Sequence, residues 1–73
     1  MTARVVKRSL SIAGHQTSIS LEEAFWQELK AAATRRSISI AALVAEIDGQ
    51  RTDANLSSAI RVFLLAEAKA GRS

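Results

Sequence analysis

Between Arg8 and Leu21 the chain alternates apolar and polar residues around one glycine, and its polar set is chemically uniform. Ser9, Ser11, Ser18 and Ser20 carry hydroxyls, and Gln16 carries a carboxamide. On an extended backbone such residues project to one side, and a ribbon with a polar face of this kind can meet base edges in a DNA major groove. Catalysis is a poorer use of them. His15 is the single histidine and falls in a tight turn beside Gly14, and no serine has a base at a recognisable spacing. Glu22 and Glu23 are adjacent and project to different parts of a helix surface, which makes a poor acid/base pair. Without cysteine and with one histidine, the chain lacks a metal-ligand set. The expectation is a protein that is not an enzyme and uses no cofactor or metal.

The elements that hold those side chains follow from the same pattern. A two-residue loop at Gly14-His15, glycine first as a type II′ turn requires, predicts a hairpin with Leu10 opposite Ile19 and Ile12 opposite Thr17. Ser11 then faces Ser18, Ser9 faces Ser20 and Ala13 faces Gln16, so one side is apolar and the other small and polar. Ser20 with Glu23 reads as a capping box, starting a first helix over 21–34 with Phe25, Trp26, Leu29, Ala32 and Ala33 as its apolar stripe. Arg35 and Arg36 complement its C-terminal dipole. Ser39 is the expected N-cap of a second helix that buries Ile40, Leu43, Val44 and Ile47. The polar run 48–53 should end it. A third helix should start near Asn55 or Ser57 and reach about Ala70, with Leu56, Ala59, Ile60, Phe63 and Leu64 on one side.

Composition limits the rest. A chain of 73 residues, 48% hydrophobic and free of cysteine, has no disulfide to stabilise a small core, and oligomerisation is the remaining route. With an unpaired strand edge, this predicts an obligate homodimer, open to higher assembly, held by Ile19, Leu21, Leu43, Val44, Ile47 and the third helix. No apolar run reaches membrane-spanning length, and the expected setting is soluble and cytoplasmic, with no membrane partner. Charge is uneven: Arg4, Lys7 and Arg8 precede Glu22, the first acidic residue, and the remainder balances to zero, so the net charge of +3 sits beside the hairpin. That asymmetry suits an anionic partner. The organisation expected is a flexible basic arm over 1–7, one domain over 8–70 and a frayed end over 71–73.

The order of these pieces, from the Ala-Gly-His-Gln-Thr-Ser turn through the Phe25-Trp26 pair and the Ser37-Ile38-Ser39 turn, resembles the ribbon-helix-helix family. More closely, it resembles a bacterial subgroup with a hairpin before the first helix and a third helix after the second. The resemblance covers roughly residues 8–66. It implies an α+β fold, a β-hairpin followed by three helices in an intertwined homodimer, acting as a transcriptional regulator on double-stranded DNA. Gln16, Ser18 and Ser20 take the outward, base-contacting positions, while Thr17, Ile19 and Leu21 point inward. Ser39 with the backbone of Ile40 and Ala41 takes the phosphate-binding position at a helix N-terminus, and Arg4, Lys7 and Arg8 would add phosphate contacts. Where many relatives have glycine before the second helix, this chain has Ser37. The competing expectation is a dimeric protein-interaction module, antitoxin-like or an adaptor, that uses the flat polar face or the apolar third helix to hold a protein partner.

Overall fold

A computed structural model describes residues 4–50 and 55–71. An antiparallel hairpin, β1 (Val5–Ile12) and β2 (His15–Glu22), leads directly into α1 (Glu23–Arg35), followed by α2 (Ile40–Gln50) and α3 (Leu56–Ala70). The apolar side of the hairpin supplies Ile12, Ile19 and Leu21 to a core completed by Leu29, Ala32 and Ala33 of α1, Leu43, Val44 and Ile47 of α2, and Ile60 and Leu64 of α3. Alternation along the strands and helical spacing beyond them therefore converge on one apolar interior, as the pattern predicts.

The turn differs from the expected one. Ile12 pairs with His15, Leu10 with Thr17 and Ser9 with Ser18, so the loop is Ala13-Gly14, with φ of +51° and +82°. Positive φ at both central positions is the type I′ geometry, whose twist matches that of the strands. It lengthens the ladder back to Val5↔Glu22 and sets Val6 opposite the buried Leu21. The expected arm over 1–7 is accordingly corrected: β1 begins at Val5, and the carbonyl of Arg4 accepts the Glu23 N–H at 3.2 Å. Residues 1–3 of that arm, and 72–73 of the expected frayed end, lie outside the described residues.

Helix boundaries show two further corrections. Ser20 does not cap α1, because the longer ladder keeps it in β2; Glu22 occupies the N-cap position without a side-chain capping bond. The second helix continues through Asp48 and Gly49 to Gln50, and the rest of the polar run expected to end it, 51–53, lies outside the described residues. Two starts agree with expectation. Ser39 Oγ accepts the Ala42 N–H at 3.0 Å, and Asn55 Oδ1 accepts the Ser58 N–H at 2.8 Å as N-cap of α3. Between α1 and α2, Ser37 takes a φ of +58° while the Ile38 N–H reaches the Ala33 carbonyl at 3.1 Å. Serine thus holds the left-handed position that closes the helix.

Two carboxylates fix the hairpin to the helices from opposite sides. Glu23 Oε1 accepts from Arg8 Nη2 at 2.9 Å, and the Arg8 guanidinium lies 4.2 Å from the centre of the Trp26 ring. Glu22 Oε1 accepts from Arg61 Nε at 3.0 Å, and Arg61 lies 5.8 Å from the Phe25 ring centre. Each glutamate stands three positions before its aromatic, and the pattern repeats one residue later on the other side of the strand-to-helix junction. At the far end of α1, Arg36 Nη2 donates to Glu67 Oε2 at 2.8 Å and stacks 5.0 Å from Phe63. Arg36 thus serves α1–α3 packing.

Three substitutions test this framework. Because left-handed backbone is costly for residues with a Cβ, Ser37→Gly should raise unfolding free energy by about 0.5–1 kcal/mol in urea titration, after the entropy that glycine adds to the unfolded chain. Ala13→Asn should stabilise by a few tenths to about 1 kcal/mol in the same assay, since asparagine-glycine suits a type I′ turn. A loss of stability at either position would contradict the assigned backbone. Glu22 is held below the ordinary carboxylate value of 4.5 by a hydrogen bond from its own backbone N–H and then by Arg61. A depressed folded pKa gives stability that is complete above the unfolded value and disappears as pH falls through the folded one. Glu22→Gln should therefore lower the melting temperature at pH 7 and differ little from wild type near pH 3; a gap that stays constant would remove Glu22 from the acid response.

Candidate nucleic-acid interface

The polar side of the hairpin gathers Lys7, Ser9 and Ser11 of β1 beside Ser20, Ser18 and Gln16 of β2, in that pairing. In a hairpin closed by a two-residue loop, the pair next to the loop exchanges both ladder bonds and pairs then alternate. These three pairs are therefore non-hydrogen-bonded ones, whose opposing Cα atoms approach to about 4.5 Å. Their side chains form a continuous carpet of hydroxyls, one carboxamide and one ammonium. Lys7, Ser9, Ser11, Gln16 and Ser18 are exposed, and Ser20 is half-buried. Such a surface can donate to and accept from many base-edge patterns, with Gln16 alone able to make a paired contact to adenine.

Ser20 differs from its neighbours because α3 holds its backbone. Its N–H donates to Ser57 Oγ at 2.9 Å, and its carbonyl accepts from Arg61 Nη2 at 3.0 Å. Arg61 stands in the apolar stretch Ala59–Ala66, where it is the single charged residue. That isolation was the available signal for its role. Ser57, one of several serines, gave none.

The basic residues expected at phosphates divide by strand parity. Lys7 lies on the polar side and is exposed; Arg4 precedes β1 and is exposed. Arg8 shares the parity of Leu10 and Ile12, so it lies on the opposite side, paired with Glu23 and stacked on Trp26. Its Nε is covered and unbonded, while its Nη2 is held by Glu23 at the surface. Within the chain Arg8 thus ties β1 to the start of α1 through Glu23 and Trp26. Ser39, Ile40 and Ala41 form the start of α2, where first-turn N–H groups lack intrahelical acceptors and no acidic side chain occupies the first turn. Among the described residues no hydrogen bond joins this turn to the polar carpet, so it constitutes a separate anion-compatible position.

The side chains expected at a dimer interface are covered within one chain. Leu21, Leu43 and Val44 are 0% exposed, Ile19 1% and Ile47 5%. The exposed large hydrophobics lie elsewhere, with Val62 and Leu65 on the outer side of α3 at 67% and 57% and Val5 at 53%. Val62, Leu65 and Ala68 border a groove of about 340 Å³ with Phe25, Glu28 and Arg61. No helix among the described residues is long and apolar enough to cross a membrane.

A comparison with curated proteins and one with solved structures returned no match. The model of the ribbon-helix-helix domain family matches residues 5–68, a span that takes in both strands and nearly all of α3. That family has a non-enzymatic DNA-binding fold, and its members are typically regulators that bind DNA as dimers. From a hairpin of matching parity, three helices in the matching order and this extent of agreement, the chain belongs to the ribbon-helix-helix family.

Proposed function

We propose that this chain is a cytoplasmic bacterial transcription regulator that binds double-stranded DNA as a homodimer, with the polar side of the hairpin directed at the major groove. The observation that carries the reading is the exposed carpet of Ser9, Ser11, Gln16 and Ser18 with Lys7 at its edge and without an unpaired carboxylate among them. Gln16 and Ser18 read bases, with Ser20 at the margin. Lys7 and Arg4 contact phosphate, and the Ser39 turn with the Ile40 and Ala41 N–H groups receives a further phosphate through the helix dipole. Serine hydroxyls accept several bases, so sequence preference rests mainly on Gln16.

A second reading is supported by Val62 and Leu65, which α3 leaves exposed beside a groove. Apolar side chains gathered in this way are a common feature of protein-binding surfaces, and under this reading the partner is another protein.

Titration of labelled duplex at several salt concentrations separates the two. Lys7→Gln and Arg4→Gln should weaken binding to every sequence and each flatten the log–log salt slope by about one unit. Arg8→Gln should leave that slope unchanged while lowering the melting temperature, because its partners are Glu23 and Trp26. Gln16→Ala should keep the fold and reduce discrimination among duplexes by the order of 1–3 kcal/mol expected of a paired contact. Absence of binding to any duplex at low salt would overturn the DNA reading in favour of the protein-binding one.

A further inference from the structure

Glu22 is the one acidic residue in either strand, and its parity with Gln16, Ser18 and Ser20 places it on the polar side of the hairpin. A bare carboxylate there would repel the phosphates of a duplex laid on that surface. Arg61 meets it from α3: Nε donates to Glu22 Oε1 at 3.0 Å, while Nη2 of the same guanidinium donates to the Ser20 carbonyl at 3.0 Å. Ser57, one helical turn earlier and so on the same face of α3, accepts the Ser20 N–H through Oγ at 2.9 Å. Because Lys7 and Ser20 form a non-hydrogen-bonded pair, both backbone groups of Ser20 point away from β1. Two side chains of α3 therefore take up both, at a residue whose own side chain belongs to the polar carpet.

We propose that Arg61 and Ser57 are positioning residues for base recognition: from α3 they fix the end of the reading strand at Ser20 and hold the Glu22 carboxylate in an ion pair instead of leaving it bare toward the duplex. The inference rests on the DNA reading above and adds α3 to it. Hydrogen bonds to base edges weaken steeply as their angles open, and a recognition surface keeps its geometry only where supporting groups hold it to within about 0.5 Å. The carpet itself supplies little support of this kind, since serines are too short to pack on one another. A serine hydroxyl lies one carbon from the backbone, so where the strand goes, the hydroxyl follows. Holding the Ser20 backbone therefore places its hydroxyl, and Lys7 directly across the ladder shares the support. Arginine suits the task because its planar guanidinium presents N–H groups in two fixed directions at once, one here to a carboxylate and one to a carbonyl. The Phe25 ring, centred 5.8 Å away, limits where that plane can lie.

The test compares binding to a duplex selected by the wild-type chain from a random-sequence library with binding to a scrambled duplex of equal length, at several salt concentrations. Arg61→Met/Glu22→Gln removes both charges together, so net charge is kept and no carboxylate is left bare. Ser57→Ala removes one oxygen and decides the matter if the double variant fails to fold. Arg36→Met/Glu67→Gln is the control, an equivalent excision of an ion pair stacked on Phe63 elsewhere on α3. Preference for the selected duplex should fall about tenfold in Arg61→Met/Glu22→Gln, the order of one lost base contact, and in the same direction in Ser57→Ala. The control should keep the wild-type preference while losing melting temperature. The salt slope on the scrambled duplex should stay at its wild-type value throughout. Amide exchange followed by NMR should show the Ser20 N–H exchanging faster in Ser57→Ala. Faster exchange with an unaltered preference overturns the positioning role, as does an equal loss of preference in the control. A salt slope flattened by about one unit in the Arg61 variant makes Arg61 a phosphate ligand and likewise overturns it. A wild-type chain that selects no duplex overturns the DNA reading itself.

Discussion

Everything that the hairpin offers to a partner depends on how the strand-to-helix junction at Glu22-Glu23 is held. β2 runs into α1 without an intervening loop, so one peptide step separates a strand residue from a helix residue. The two carboxylates at that step leave in opposite directions, one to β1 through Arg8 and one to α3 through Arg61. Each arginine also lies against the aromatic that follows its glutamate by three positions. Single exposed ion pairs contribute little, and exposed cation–π contacts about 0.5–1 kcal/mol. Their value here is geometric: paired on either side of one hinge point, they set the angle between the hairpin and the helices. The polar carpet then faces outward.

The chain's parity was legible even where its register was not. Moving the turn from Gly14-His15 to Ala13-Gly14 displaces one strand against the other by two residues, and because side chains alternate with a period of two, such a shift leaves every residue on the same face. Ser9, Ser11, Gln16 and Ser18 therefore occupy the predicted side although their cross-strand neighbours changed. The turn itself was misread because its first residue, Ala13, carries no sequence signal for positive φ; glycine at the second position satisfies a type I′ turn as readily as glycine at the first satisfies a type II′ turn. Parity also contained the correct place of Arg8, which shares a side with Leu10 and Ile12. A positive charge near the N-terminus suggested an anion contact, and that suggestion conflicted with the alternation.

The helices were legible in number and order, less so at their ends. Ser39 and Asn55 cap as their residue types imply, whereas Ser20 is drawn into the ladder by pairing with Lys7, a tertiary preference that overrides a local capping signal. The burial of Ile19, Leu21, Leu43, Val44 and Ile47 within one chain had a similar origin. Composition indicated a surplus of apolar surface but could not say that α3 folds back over the hairpin and the other two helices. Those residues are buried within one chain, and the site residues supplied by α3, Ser57 and Arg61, were beyond reach of local pattern.

The edge of β1 sets the size of any assembly built on this sheet. Its outward backbone groups belong to Lys7, Ser9 and Ser11, and Lys7 is exposed along that margin. Stacking another hairpin there would bring ammonium groups from successive chains toward one another and bury a charge that has no counter-ion on the same strand, a common means by which natural sheets discourage continued growth. The β1 margin of the hairpin is thus guarded against the addition of a further strand.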